Sequence, residues 1–350
     1  MKRLGYLDSI RGVAALLVAI AHLALVDDAL GFEIKYVGVL RAPDFAVDLF
    51  FVLSGFVLFY QLQTERPSYL VFVARRFLRL FPPCIIAVLA SYAIYLHLAP
   101  AAIQHLTPWF REVSWPPGIT FDQFLVHLTL SNPLNLLLPP LWSLVYEWRV
   151  SIVFPLVVVA FLNAPKLVSV VVLGLTVMVA ETSFWQQSQF DWILSTTFYG
   201  SFFLAGAAIA RYQTAITDFL GRWAVLRYAI FATVFYWVSV KPQMSGYENY
   251  LRMGVMAALF IAATVSDPLL QAVLSVRPLL FLGRISYSLY LWHFIVIGVL
   301  FRALDGFNPV LIAALCLIVS VLVAVLMHRL VEVPSIKMGR AVSRWRPAVA

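Results

Sequence analysis

The sequence predicts an all-α, polytopic integral membrane protein with about ten transmembrane helices and with N- and C-termini both cytoplasmic. Three observations predict it. Of the 350 residues 62% are hydrophobic and only 12% charged, which is more apolar surface than one soluble core can hide. The apolar residues recur in runs of roughly 18–25, the length that matches bilayer hydrocarbon. With the N-terminus placed inside, the inside connectors hold roughly three Lys or Arg for each one outside, and this imbalance survives all ten spans. The net charge of +8 is therefore read as membrane topology, with no nucleic-acid partner implied.

The first span covers residues 10–27. It follows Lys2 and Arg3 without a small-residue cleavage site, so it reads as a retained helix and no signal peptide. It contains Arg11 and His22, whose eleven-residue spacing brings them within about 20° of one face and about 16 Å apart along the axis. An Arg at a helix centre is about 2.5–3.5 kcal/mol uphill in lipid, so both are expected to face a polar interior. Spacing alone supports catalysis and helix packing equally.

The second span, 45–62, carries Asp48 and the Ser54-Gly55 pair, whose small side chains permit a neighbouring helix to come close. Before the third span, 80–99, stand Arg75, Arg76 and Arg79, followed by Pro82 and Pro83. Arg75 and Arg79 share a face at i,i+4, and forked guanidinium donors suit phosphate oxygens; ordinary positive-inside anchoring is the competing account. The connector 100–140 is expected outside, rich in Pro and Trp, with a short surface helix over Phe121 to Leu130. Lid, port and spacer are all compatible with it.

In the fourth span, 141–162, Ser143 and Glu147 share one face, and Trp142 and Tyr146 another. A carboxylate inside an apolar span either orients a histidine, exchanges protons, or pairs with an Arg to hold helices together. Spans follow at 166–181, 193–211, 223–240 and 249–266. The ninth, 279–301, presents Arg284, Ser286, Tyr287, Ser288, Tyr290, Trp292 and His293. The tenth, 308–331, ends at His328, Arg329 and Glu332 before Pro334, groups suited to stabilising a helix end. The membrane domain is thus 1–335, and 336–350 is a basic cytoplasmic tail lying against anionic lipid. His97, His105 and His127 are spread along the outside connector and receive no role. Cys84 and Cys316 fit neither a disulfide framework nor a metal site, and the chain shows no metal-ligand, P-loop or dinucleotide spacing.

Taken in order, these segments resemble the acyltransferase-3 family of bacterial integral-membrane O-acyltransferases. The resemblance rests on Leu7-Asp8-Ser9-Ile10-Arg11-Gly12 with His22, and on Asp48-Leu49-Phe50-Phe51-Val52-Leu53-Ser54-Gly55. It continues through Arg75-Arg76-Phe77-Leu78-Arg79, Trp142-Ser143-Leu144 with Glu147, Gly283-Arg284-Ile285-Ser286-Tyr287 through His293, and Glu332-Val333-Pro334. Each motif is weak, whereas the ordered set is specific. One departure is that Trp148 and Arg149 follow Glu147, where the family often has further acidic or aromatic residues.

The resemblance implies transfer of an acyl group, usually acetyl from acetyl-CoA, to a hydroxyl of a carbohydrate or glycolipid in the bacterial inner (cytoplasmic) membrane. Acyl-CoA is then a donor substrate, and no cofactor is held permanently. His22 is the expected general base, Arg11 the group that orients the donor or meets oxyanion charge, and Glu147 the group that sets the histidine tautomer. Arg75, Arg76 and Arg79 are expected to meet the CoA phosphates. Asp8, Asp48, Ser54, Trp142, Ser143, Tyr146, Tyr287 and His293 are candidates for the substrate pocket. Membrane lipid, acyl-CoA and a glycan acceptor are the implied partners, and the oligomeric state stays open. A transporter or flippase is the alternative class, but neither repeated halves nor matched interrupted helices occur. With no separate soluble domain in the sequence, direct transfer to the final acceptor is the expectation.

Overall fold

The computed structural model describes residues 4–27, 30, 38–98, 106–134, 136–163, 191–240 and 247–342. In chain order its helices are α1 (Gly5–Val26), α2 (Pro43–Glu65), α3 (Tyr69–Leu98), α4 (Pro108–Val113), α5 (Phe121–Thr129), α6 (Leu141–Asn163) and α7 (Asp191–Arg211). Then come α8 (Gln213–Arg222), α9 (Ala224–Val240), α10 (Tyr247–Val265), α11 (Pro268–Leu274), α12 (Arg277–Ala303), α13 (Pro309–Met327) and α14 (Val333–Val342). No strand occurs among the described residues.

Every predicted span coincides with a helix except 166–181, which lies outside the described residues. Among the described residues seven helices are long and apolar enough to cross a membrane, and the bent pair α10–α11 brings the number to eight. The other two predicted spans are 166–181, outside the described residues, and 223–240, where α9 is shorter than a full span; α10 itself turns by 99° into α11. That bend is written in Asp267-Pro268. Asp267 caps the N-terminus of α11 through Leu270 N–H at 2.8 Å, while Gln271 Nε2 donates to the Thr264 and Val265 carbonyls at the end of α10. The buried guanidinium of Arg227 holds Asp267 from the other side, Nε to Oδ2 at 2.7 Å.

The chain divides into two compact units. Unit 1 comprises residues 1–14, 37–66 and 149–284, and unit 2 residues 15–36, 67–148 and 285–350. In unit 1, α2 crosses α7 with backbone nearly touching backbone. A Cβ on Gly55 would overlap the Phe203 carbonyl, and one on Gly206 would overlap the Val52 carbonyl and lie 2.8 Å from Phe56 N. The close approach expected of Ser54-Gly55 is therefore real, and Gly206 is its partner. A second such contact joins the start of α1 to α12. A Cβ on Gly12 would fall 2.5 Å from Gly283 N, and one on Gly283 would overlap the Asp8 carbonyl.

In unit 2, Pro82 and Pro83 lie inside the continuous helix α3. Pro82 has no N–H for the carbonyl of Leu78, four residues back, and Ser335 Oγ donates to that carbonyl instead. Ser335 belongs to α14, which follows a π-helical turn at His328–Glu332 and packs along α3, with Gly339 facing the Arg75 backbone. Residues 336–342, part of the segment expected as a basic tail, are helix and belong to this contact. Residues 343–350 lie outside the described ones.

Candidate functional site

Unit 2 gathers its chemistry along α12, whose Tyr287, Tyr290 and His293 follow one another at intervals of three residues. Each touches a different predicted group.

At one end, Tyr287 donates to the Leu80 carbonyl at 2.8 Å and lies 3.1 Å from Cys84 Sγ. The Arg79 guanidinium stands over its ring at 5.8 Å. Arg79 also approaches Glu332 at 3.6 Å, its own side chain 37% exposed and that of Glu332 only 2%. The buried Glu332 carboxylate accepts from Ser288 Oγ at 2.7 Å and from His328 Nδ1 at 3.0 Å, so it ties α3, α12 and the π turn together. This is the helix-end role expected of those residues. The neighbouring Arg76 donates to Glu147 at 2.6 Å, and both are half-buried. Ion pairing between helices, one of the three accounts of Glu147, thus has a partner in Arg76, and Arg75 is half-buried next to it in α3.

In the middle of the stripe, the Tyr290 hydroxyl lies 2.7 Å from Ser143 Oγ, which donates to the Pro140 carbonyl at 3.2 Å. Trp142 and Tyr146 meet edge to face at 6.2 Å. At the far end, His293 is completely buried, and its Nε2 lies 2.8 Å from Nδ1 of the half-buried His22. The two rings are nearly parallel, at 10°. Phe294 meets His22 edge-on at 5.3 Å. The ring that hydrogen-bonds His22 is therefore His293, while Glu147 Oε1 is met by Arg76.

The connector before α6 contributes a residue that sequence reasoning missed. Trp109 faces His22 at 5.9 Å and 15°. Thr107 fastens it there, accepting Phe110 N–H as the N-cap of α4, while its own Oγ1 and N–H donate to the Leu25 and Val26 carbonyls at the end of α1. A helix leaves its last carbonyls without intrahelical partners, and these two are thereby satisfied. The signal was present as Thr107-Pro108, a cap followed by Pro at the first helical position. Further along, Arg302 donates to the Ser114 carbonyl at 2.6 Å and stands over the Trp115 ring at 4.9 Å. Trp115 Nε1 in turn donates to Ser91 Oγ.

The short helix expected from Phe121 is α5, and its His127 is structural. Nδ1–H donates to the Gln123 carbonyl at 2.6 Å, and Nε2 accepts Leu137 N–H at 3.3 Å. Burial holds this imidazole below the usual value of 6.5, with the Gln123 bond opposing in part. The folded chain then binds fewer protons here than the unfolded one. The contribution is complete above the unfolded pKa and is lost as pH falls through 6.5 toward the lower folded value. Protection of the 106–140 connector from limited proteolysis should be constant above about pH 7 and decline below 6.5, and His127→Gln should flatten that decline.

Other predicted site residues lie in unit 1. Asp8 and Arg11 are half-buried on the first turns of α1, and Ser54 is buried in α2. Asp48 is buried at 1% exposure, with Oδ2 hydrogen-bonded to nothing among the described residues. No cluster suited to a metal ion occurs among the described residues.

Comparison with known proteins agrees with this chemistry. The model of the acyltransferase-3 family, described as an acyltransferase domain, matches residues 4–329. Among curated relatives, the O-acetyltransferase OatA of Staphylococcus aureus (strain NCTC 8325 / PS 47) is 27% identical, over 84% of this chain and 52% of that protein. The peptidoglycan O-acetyltransferase OatA of Listeria monocytogenes serovar 1/2a is 28% identical, over 95% of this chain and 56% of its own length. The chain thus spans about half the length of the curated relatives it matches. No solved structure matches it significantly.

Proposed function

The chain belongs to the acyltransferase-3 family, and on that premise we propose that it is a multi-pass membrane O-acyltransferase carrying acetyl from acetyl-CoA to a glycan hydroxyl. The observation that carries the reading is His22: a half-buried imidazole, inside an apolar helix, hydrogen-bonded on one nitrogen and roofed by an aromatic ring from the connector. The names of the relatives, O-acetyltransferase and peptidoglycan O-acetyltransferase, support a glycan acceptor.

The stripe on α12 gives the donor a path. Tyr287, beneath Arg79, and His293, beside His22, are six residues apart, about 9 Å along the helix. The pantetheine arm of CoA exceeds that length, so phosphates held near Arg75 and Arg79 leave the thioester within reach of His22. In this reading the phosphate end faces the cytoplasm and Trp109 faces outward. His22 takes the proton of the acceptor hydroxyl as its oxygen attacks the acyl carbon. The carbon–sulfur bond then breaks, and the proton passes from His22 to the departing thiolate, leaving an ester and free CoA thiol. Arg76, held by Glu147, stiffens the base of the site. Arg79→Ala is expected to raise KM for acetyl-CoA about tenfold with a smaller change in kcat, since it removes one charge-assisted phosphate contact. Steady-state rates in membranes check this.

The decisive experiment compares envelope glycans from a deletion strain and its complement by mass spectrometry. A difference of one acyl group per modified sugar is expected, and it identifies acceptor and acyl chain together. Identical glycans, with the protein present in the complemented membranes, would sink the proposal.

The transporter reading has less behind it. The family match is to an acyltransferase domain, and the buried polar groups of unit 2 pair locally along α12.

A further inference from the structure

We propose that His293 is the positioning residue that fixes the tautomer of His22, so that His22 Nε2 is the bare nitrogen that takes the proton; this rests on the reading of His22 as the base.

The argument starts at a backbone carbonyl. His293 Nδ1 lies 3.1 Å from the Leu289 carbonyl, one helical turn back. A carbonyl oxygen only accepts, so the proton of that bond is on His293 Nδ1. The His293 ring is completely buried, edge-on to Phe294 and tilted against Tyr290, with no carboxylate bonded to it. Its hydrogen-bond partners among the described residues are the backbone of Leu289 and Tyr290, and His22. A buried imidazole without a counter-charge is neutral, because desolvating an unpaired cation is costly. With the proton on Nδ1, its Nε2 is therefore a lone pair, which accepts. The 2.8 Å contact to His22 then has one polarity: His22 Nδ1–H donates to His293 Nε2.

That leaves His22 Nε2 as an acceptor. Leu289 thus dictates, through two rings, which nitrogen of His22 faces the substrate. When the acceptor hydroxyl gives its proton to Nε2, the new imidazolium still donates through Nδ1, so no hydrogen bond is broken as charge develops. The partner is a neutral imidazole in place of the carboxylate that usually orients a catalytic histidine. It orients the ring without lending it negative charge. The base is accordingly weaker, and the buried site carries one ionisation fewer.

Two substitutions separate orientation from packing. His293→Gln retains an acceptor, the amide oxygen, within reach of His22 Nδ1–H. His293→Phe retains the ring and its aromatic neighbours but accepts nothing. With radiolabelled acetyl-CoA and glycan isolated from the deletion strain, His293→Gln is expected to stay within a few-fold of wild type. His293→Phe should fall about 10–100-fold in kcat. It should also show an altered acidic limb in the pH profile of kcat/KM, as His22 loses its fixed tautomer. A packing role predicts the reverse order, so activity of His293→Phe equal to or above that of His293→Gln overturns the proposal. His22→Ala serves as the separate arm. If it is inactive while Phe matches Gln, only this inference falls; if it is active, the reading of His22 falls first. Should both variants fail to fold, nitrogen-15 spectra of histidine-labelled wild-type protein and His22→Ala decide the matter. The signal that disappears must be a ring protonated at Nδ1, and a ring protonated at Nε2 overturns the proposal.

Discussion

Membranes carrying His22→Ala are expected to transfer acetyl groups about 10²–10⁴-fold more slowly than wild type, the range that one positioned general base supplies. The ring lies among His293, Trp109 and Phe294, so alanine also leaves a gap there. His22→Gln resolves the ambiguity. Glutamine fills much of the space and keeps a donor for His293 Nε2, but it has no basic nitrogen near neutral pH. Both variants should therefore be inactive to a similar degree while eluting from a sizing column as wild type does. Initial rates at saturating donor check the effect, since a lost base lowers kcat more than it raises KM. A His22→Gln enzyme near wild-type rate would remove His22 from the chemistry and leave Trp109 guarding nothing.

The largest expected effect on stability lies in unit 1. Gly206→Val should cost about 3 kcal/mol or more, because the added atoms meet main chain and not a movable side chain. The α2–α7 crossing places the Val52 carbonyl and the Phe56 amide where the Cβ would be, and Gly55 faces the Phe203 carbonyl in the same way. Neither helix can yield without moving its whole axis, since these are regular helical turns. Gly221→Ala is the matched control. A Cβ there meets nothing within 4 Å, and losing a helical glycine is mildly stabilising. Thermal midpoints in detergent, or the fraction surviving extraction, should drop sharply for the first and hold or rise for the second. Equal behaviour of the two would mean that the crossing has slack.

Why some of this was legible in the sequence and some was not has a physical basis. Hydropathy reports length and burial in lipid, so apolar runs located the helices. It does not report a bend such as the one at Asp267-Pro268, which depends on capping, although both residues were in view. Arg11 and His22 declared themselves because charge is rare in apolar runs. The partner of His22 lies 271 residues away, and helix periodicity carries no information across that distance. Glu147 illustrates the same limit. Its cost in lipid showed that it needs a partner, while the choice between histidine and arginine belonged to tertiary packing, which supplied Arg76. Ser54-Gly55 was readable as a close-packing site, but Gly206 lies among alanines in Leu204-Ala205-Gly206-Ala207 and looked like ordinary helix. Trp109 stood in an irregular connector where aromatic residues are common, and only the clasp to α1 gives it a place.

The hydrogen bond from Ser335 to the Leu78 carbonyl sets an order on biosynthesis. The two residues are 257 positions apart. At ribosomal speed that interval takes on the order of 10–50 s. Throughout it, the Leu78 carbonyl opposite Pro82 is without the hydroxyl that meets it, and the arginine end of α3 lacks both Glu332 and α14. The arginine end of α3 is therefore completed only once α14 has been synthesised. A nascent chain arrested before residue 332 would carry His22 and His293 yet lack the partners of Arg79 and of the Leu78 carbonyl. Ribosome-bound intermediates should thus acquire the protease resistance of α3 only after α14 has emerged.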